Sequence, residues 1–424
     1  MIARARVLAL ATADPSAGDS TCDRHTLAVV AVLVALSTSA RAQTPDSGTT
    51  DLIDIWNQIR HKPVAAAADD TSAMKAVAPV IGVKPSAGAL FGVAGNVAFF
   101  TGDPQTTHIS SVVASLTFSQ KHQTSLTGRL ALSTPDDRWR IDGDNRAQWT
   151  SQDTYGLGTA SELAAGVNAK YDFFRIHETV LRQVRPALFA GAGLHFDDHT
   201  NIRPGTDLSD AEWNATAFVQ YSEAHNLPLD RQVSAGPSVA LVADTRDSAI
   251  DPRKGWLATA SYRGLIKGFL GGSSGWQLVH AEERGYVPLD ADNRQRLAFW
   301  LFGDFTFAGA PPYFDLPATG MDVYGRSARG YGEARFRGER LLYGEIEYRA
   351  SLTRNGLLGW VAFLNATTIT NLQEGERLFH SGAPGAGAGL RALINKRSRT
   401  NLCFDVGFGK DGSRGVYLAV QEAF

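Results

Sequence analysis

Arg296-Leu297-Ala298-Phe299-Trp300-Leu301-Phe302-Gly303-Asp304-Phe305-Thr306-Phe307 decides the fold. Leu297, Phe299, Leu301, Phe305 and Phe307 alternate with Arg296, Ala298, Trp300, Asp304 and Thr306. This is the period of two that sends successive side chains to opposite faces of a strand. The period recurs in Leu402, Phe404, Val406 and Phe408 against Cys403, Asp405, Gly407 and Gly409, and in Val416, Leu418 and Val420 against Tyr417, Ala419 and Gln421. Segments of about ten such residues separated by turns are the mark of a membrane barrel. Lipid offers backbone groups no partners, so a sheet crosses a bilayer only as a closed ladder. A soluble β-sandwich would also alternate, but it would not explain an export signal, aromatic strand ends and a terminal phenylalanine together.

Working outward, the pattern predicts strands near 76–84, 89–101, 108–119, 122–132, 138–150, 165–176, 186–197, 231–244, 255–267, 274–287, 294–307, 339–352, 357–368, 385–395, 400–409 and 413–424. That is an all-β, antiparallel transmembrane barrel of sixteen strands. An even count puts both ends on the periplasmic side. Tight links at Gly102-Asp103-Pro104, Thr134-Pro135-Asp136, Pro288 to Asn293, Arg354-Asn355-Gly356 and Lys396-Arg397-Ser398 then share one rim. The long links near 198–230, 308–338 and 369–384 share the other. Lys84-Pro85-Ser86 is a tight link that falls on the long-loop side.

Composition agrees. The 424 residues hold 41 Lys and Arg against 43 Asp and Glu, a net charge of −2 that gives no reason to expect nucleic acid as a partner. No run of 18 apolar residues follows the first 45 positions, so a membrane-crossing helix is not expected there. Leu27 to Leu36 form a short apolar core followed by Ala40-Arg41-Ala42, an A-x-A cleavage site, and the segment reads as an export signal over 1–42. The region ahead of it is long enough to suggest a start codon nearer the apolar core. With Cys22 in the removed segment, Cys403 stands alone and no disulfide is expected. Residues 43–75 read as a short periplasmic stub. Asp51 to His61 within it is a predicted helix, with Leu52, Ile55, Trp56 and Ile59 at helical spacing, tucked toward the barrel mouth. The barrel proper is expected over 76–424.

Between two of the predicted strands runs Ala328-Arg329-Gly330-Tyr331-Gly332-Glu333-Ala334-Arg335-Phe336-Arg337-Gly338. It is too basic and glycine-rich to face lipid. A long loop with an Arg-Gly-aromatic tip, set between amphipathic strands, reads as a loop folded back into the lumen. A guanidinium is a rigid fork of donors that suits a carboxylate, and Gly330 permits backbone conformations closed to other residues. A solvated charge run on an exposed loop is the plainer reading.

These segments resemble the BamA/TamA superfamily of outer-membrane proteins, the bacterial surface antigen family, over roughly residues 76 to 424. In that family the sixth outer loop carries an Arg-Gly-aromatic tip that turns into the lumen. Arg329, Gly330 and Tyr331 match the tip, and Arg335, Phe336, Arg337 and Gly338 match its return. Glu347, in Gly344-Glu345-Ile346-Glu347-Tyr348-Arg349, matches the acidic residue that pairs with the loop arginine. Asp244-Thr245-Arg246-Asp247 with Pro252 and Gly255 resembles the family's periplasmic turn. Pro79-Val80-Ile81-Gly82 with Ser86-Ala87-Gly88 is similar to its first hairpin. Gly385 to Arg391, and the ending from Tyr417 to Phe424, resemble its last strands. Phe424, with Tyr417, resembles the C-terminal signal read by outer-membrane assembly machinery, and Glu422 is expected to reach water at the strand's end.

Two departures matter. Relatives have Asp where Asn365 stands, so the resemblance implies that Arg329 loses one carboxylate and rests mostly on Glu347, in a partly wet lumen. Residues 43–75 are also too few for the tandem periplasmic domains of BamA-like members, since stable domains begin at about 50 residues. The chain therefore resembles a barrel-only member. The resemblance implies an assembly or translocation barrel in a Gram-negative outer membrane. First and last strands would meet at a weak seam, to which Gly82, Gly409, Gly412 and Gly415 contribute. Outer-membrane lipid, the assembly machinery during biogenesis, and client proteins or a periplasmic subunit would be the partners. A passive channel or structural barrel is the alternative.

No catalysis, cofactor or metal is expected. Gly271-Gly272-Ser273-Ser274-Gly275 fits G-x-S-x-G but lies in a hairpin loop rather than a strand-to-helix elbow. Gly407-Phe408-Gly409-Lys410-Asp411-Gly412 fits G-x-G-x-x-G but opens no helix. The ten histidines show no metal-ligand pairing; His177 and His195 read as lumenal polar residues and Cys403 as a small filler.

Overall fold

A computed structural model describes residues 48–61, 73–84 (for 81–84, the backbone) and 88–424. The expected export signal, Cys22, the start of the stub and the link 85–87 lie outside the described residues. Sixteen antiparallel strands form one sheet in which each strand pairs with its sequence neighbours. They are β1 (Met74–Lys84), β2 (Gly88–Phe99), β3 (Ser110–Ser119), β4 (Thr124–Ser133), β5 (Trp139–Thr154) and β6 (Val167–Arg185). Then come β7 (Leu188–Pro204), β8 (Gln232–Asp244), β9 (Gly255–Leu265), β10 (Trp276–Pro288) and β11 (Gln295–Gly309). β12 (Arg340–Ser351), β13 (Leu358–Ile369), β14 (Ala383–Asn395), β15 (Thr400–Gly409) and β16 (Arg414–Val420) complete the sheet. No helix among the described residues is long and apolar enough to cross a membrane; the crossing elements are strands.

The period of two places the faces. Leu301, Phe307, Leu364, Leu390, Phe404 and Phe408 are exposed on the outer surface, while Trp300, Tyr343, Cys403 and Asp405 are buried inside. Exposed Trp139, Trp256 and Leu358 mark the short-turn rim, and Trp149, Phe174 and Phe307 lie toward the long-loop rim. From Trp139 to Trp149 a strand tilted by about 40° rises roughly 25 Å, the height of a barrel's apolar band.

Most strand ends lie within two residues of the sequence pattern; β6, β7 and β16 depart by more, as does β5 at its Thr154 end. β6 and β7 are much longer than expected and meet at a two-residue turn, Pro186-Ala187. Glu178 and Arg182 on the outward face of β6 interrupt the apolar alternation that would have revealed it. At the other end β16 stops at Val420 instead of running to Phe424, because Gln421 takes a left-handed backbone (φ 76°) and turns the chain inward.

Two aromatic clusters fill the lumen. One joins Tyr286, Trp300, Phe302, Tyr343 and Phe424. The other, at the long-loop mouth, packs Tyr171 and Phe173 of β6 against Tyr313 and Phe314 of the loop after β11. It also takes Phe218 and Tyr221 from the helix Ala217–Ala224.

Candidate functional site

The loop from 310 to 339 enters the lumen in three tied stages. Tyr313 and Phe314 dock first, with Phe314 stacked 5.2 Å from Phe218. Asp322 then closes a turn by accepting from the backbone N–H groups of Tyr324, Arg326 and Ser327. Tyr324 reaches between the guanidinium groups of Arg129 on β4 and Arg284 on β10, each 4.6 Å from its ring centre. Strands far apart in the sheet thus hold one ring, in the geometry a cation–π contact favours.

Arg329 follows, fully buried. Its Nη1 donates to Asp405 Oδ2 at 2.8 Å, its Nη2 contacts both Glu345 and Glu347, and its Cζ lies 3.7 Å from the Phe363 ring centre. Glu345 and Glu347 stand two apart on β12 and so share a face. Each carboxylate has a second donor. Tyr343 Oη donates to Glu345 (2.5 Å), Arg349 to Glu347 (2.5 Å) and Arg391 to Asp405 (2.5 Å). Arg391 also pairs with Glu422 at 2.7 Å, and Arg326 approaches Asp405 at 3.5 Å. Four arginines therefore meet four carboxylates out of water, and such groups are tolerated only when mutually paired.

The expectation that Arg329 rests mostly on Glu347 in a partly wet lumen is corrected. Glu345 and Asp405 supply two further carboxylates, and the side chains of Arg329, Glu345, Glu347 and Asp405 are all 0% exposed. Asn365 acts on the backbone instead, its Nδ2 donating to the Arg329 carbonyl at 3.0 Å. Period two could have found both acids, since each faces inward on its strand.

Gly330 has φ +115°, and a Cβ there would stand 2.7 Å from the Phe408 carbonyl carbon and oxygen. The tip therefore lies directly on β15, and glycines make the seat. A Cβ on Gly407 would meet Gly330 N at 2.7 Å, and one on Gly409 would meet the Tyr331 ring at 2.4 Å. At Gly409 and Gly415 the physical reason for glycine is room for the rings of Tyr331 and Tyr417, not weak strand pairing. Tyr417 Oη accepts from Gly330 N and donates to the Tyr331 carbonyl, both at 3.0 Å. Arg335 and Arg337 lie apart from the Arg329 cluster. Arg335 donates to the Ser161 carbonyl at 2.7 Å, while Arg337 donates to the Tyr313 carbonyl at 2.7 Å and to Gln152 at 2.5 Å.

Phe424 is not on the lipid face of the last strand. It is buried, stacked 5.2 Å from Trp300, with Arg349 Nη2 donating to its carbonyl oxygen at 3.0 Å. Glu422 is likewise buried rather than solvated, because Arg391 and Asn401 hold it.

At the short-turn rim Arg246 forks onto Asp244 (2.9 and 2.7 Å) while Arg140 reaches the same carboxylate at 3.0 Å. Asp247 accepts from Arg253 N and from Arg399, tying the turn after β8 to the turn after β14. Pro252 is buried in this turn. Gly255 (φ +102°) leaves no room for a side chain, since a Cβ would be 2.3 Å from the Thr245 carbonyl. The helix α1 (Leu52–Ile59) docks here: Asp51 caps it and accepts from Lys396 N, and Asp54 pairs with Lys396 Nζ at 2.6 Å. Leu52, Ile53, Trp56 and Ile59 of α1 remain exposed.

The sheet's two ends differ from its middle. Among the described residues no ladder of hydrogen bonds joins β1 to β16. Ala76, Ala78 and Ala94 pack in one apolar cluster with Val420 and Ile394. A cavity of about 380 Å³ lies between this seam wall and the folded loop, lined on one side by Val80, Leu90, Ala94 and Val113 and on the other by Tyr324 and Arg326.

No protein-family model and no curated protein matches the sequence significantly. Solved structures match the fold. BamA from Haemophilus ducreyi lacking POTRA domains 1–3 aligns with a TM-score of 0.52 at 13% identity, over 82% of this chain and 69% of that one. CdiB from Escherichia coli aligns at 0.53 and 12% identity, over 84% of this chain and 62% of that one. CdiB from Acinetobacter baumannii aligns at 0.52 and 10%, over 83% and 60%. The chain thus folds like these barrels and spans less than two thirds of either CdiB chain.

Proposed function

We propose that this chain is an outer-membrane barrel related to the BamA/TamA superfamily that inserts or translocates client proteins or lipids at the gap between β1 and β16. The observation that carries the reading is the unpaired seam. Every other neighbouring pair of strands shares a hydrogen-bonded ladder, whereas Ala76 and Ala78 of β1 pack in one apolar cluster with Val420 of β16, and parting them breaks no ladder among the described residues. The pinned loop supports it by fixing the β12 to β16 side of the seam through Glu347, Asp405 and Tyr417. An open passive channel is less consistent with a lumen occupied by the loop, two aromatic clusters and the residues around Phe424.

The test is a reversible lock. Cysteines at Ala76 and Val420, which pack in one cluster, would cross-link the seam on oxidation. Cells depending on the locked barrel should lose particular outer-membrane proteins, seen by proteomics, and recover them on reduction. Unchanged membrane composition with a cross-linked seam would overturn the proposal.

A further inference from the structure

The outer wall carries one feature that lipid alone does not explain. By register Trp139 aligns with Arg182 and Trp149 with Asp172, so the apolar band crosses β6 between residues 172 and 182. Glu178 lies inside that band, four residues from Arg182, which is roughly 10 Å below the aromatic girdle. Its outward neighbours Ile176 and Val180 on β6 and Leu194 on β7 are all exposed. Glu283 on β10 also faces outward, but only two residues from the register of Trp256 at the rim.

The carboxylate is seated rather than dangling. Asn145 Nδ2 on β5 donates to Glu178 Oε1 at 2.7 Å. A Cβ on Gly143 would stand 2.6 Å from Oε2 and 2.7 Å from Oε1, so the group lies flat over the Gly143 backbone. Small outward residues surround it: Gly128 on β4, Gly143 and Ala147 on β5, and Ala192 on β7. An ionisable group facing hydrocarbon is costly, and small residues with a polar centre are what associating membrane surfaces use to approach closely and hydrogen-bond.

The structure assigns this patch as an interface between two copies of the chain. Asn145 spends one amide hydrogen on one Glu178 oxygen, which leaves a second amide hydrogen and a second carboxylate oxygen for a partner. A two-fold axis through the patch brings the donor of each copy to the acceptor of the other, the self-complementarity an isologous contact requires. A lipid ammonium group does not reach the site, because headgroups lie at the girdle level.

Sedimentation equilibrium in density-matched micelles tests it, with heat-modifiable gel mobility as the control for folding. The wild-type barrel should dimerise. Glu178→Leu should weaken the dimer about tenfold, as expected for loss of one to two interhelix-type membrane hydrogen bonds, while leaving the barrel as heat-resistant as before. Glu178→Gln, which can still donate and accept, should lie between. Ala147→Cys, with Cys22 and Cys403 replaced by Ser, should form an intermolecular disulfide in membranes. A wild type that stays monomeric at all concentrations, a dimer indifferent to Glu178→Leu, or a Glu178-dependent complex with a different barrel would each overturn the assignment. Loss of heat resistance in Glu178→Leu without a change in dimerisation would reduce the pair to an internal brace and overturn it as well.

Discussion

The wall formed by β12 to β15 and the wall formed by β1 to β3 face the same lumen with opposite chemistry. The first presents Glu345, Glu347, Arg349, Arg391 and Asp405, all buried and all bonded to the loop or to one another. The second presents Met74, Ala76, Ala78 and Val80 on β1, and Leu90, Ala94, Asn96 and Ala98 on β2, with no ionisable group among the described side chains. A buried ionic network resists every displacement, because each partial separation leaves a charge unpaired in a poorly polarisable surrounding. Small apolar contacts yield a little at a time. One barrel thus combines a wall tied by buried ion pairs with a wall tied by small apolar contacts.

The largest effect should come from removing the cation at the centre of the first wall. Arg329→Met leaves Glu345, Glu347 and Asp405 without a shared guanidinium and should cost roughly 3–5 kcal/mol. It would be read as early loss of the heat-resistant band or an earlier urea midpoint in micelles. Glu347→Gln keeps a hydrogen-bonding group beside Arg329 and Arg349 and should cost roughly 1–3 kcal/mol. A methionine variant as resistant as wild type would erase the distinction between the walls. The loop seat should come next. Gly330→Ala forces a Cβ into the Phe408 carbonyl at an unfavourable φ and should cost roughly 1–3 kcal/mol. Protease cleavage at Arg326, Arg329 or Arg335 in the folded barrel would report the lifted tip.

The sixteen strands were legible because alternation is imposed by the two environments of a barrel wall. Legibility failed where that rule is suspended. The outward Glu178 and Arg182 hide half of β6, and the inward turn at Gln421 detaches Phe424 from the strand that precedes it. The Arg329 stretch stood out by composition, and the structure puts Arg329 and Glu347 in contact. Asp405 was harder to see, since a single acid among glycines on β15 gives no sign of what approaches it from 76 residues away. Nothing in the Phe424 region distinguishes a ring that packs on Trp300 from one that faces lipid, because both choices bury it.

A third, smaller difference concerns protons. The loop's Asp315 is buried, accepts from Ser234 Oγ at 2.5 Å and lies 3.6 Å from His199 Nδ1. Burial raises its pKa above the usual carboxylate value, and the neighbouring charge of Asp197 raises it further. A folded-state value above the unfolded one means the contribution is complete below the ordinary carboxylate range and declines as pH rises toward the folded value. The first tie of the loop should therefore loosen at alkaline pH. Asp315→Asn, which cannot ionise, should flatten the pH dependence of protease protection around Tyr313 and Phe314. An unchanged pH profile in that variant would place the titration elsewhere.

The smallest effect should come from the seam wall. Val80 faces the cavity beside the loop, so the hydroxyl introduced by Val80→Thr has space to stay hydrated and escapes the desolvation penalty of a packed core. Val80 is only partly buried against the seam cluster, so the variant should differ from wild type by less than about 1 kcal/mol in urea unfolding. The register of β1 with β2 is unaffected, since the backbone pairing of Val80 with Gly92 needs no side chain. A cost comparable to Arg329→Met would mean that the seam wall is packed as tightly as the anchored one. The contacts between β1 and β16 would then be tightly packed, and the proposed opening of the seam would need a larger driving force than loss of a few dispersion contacts.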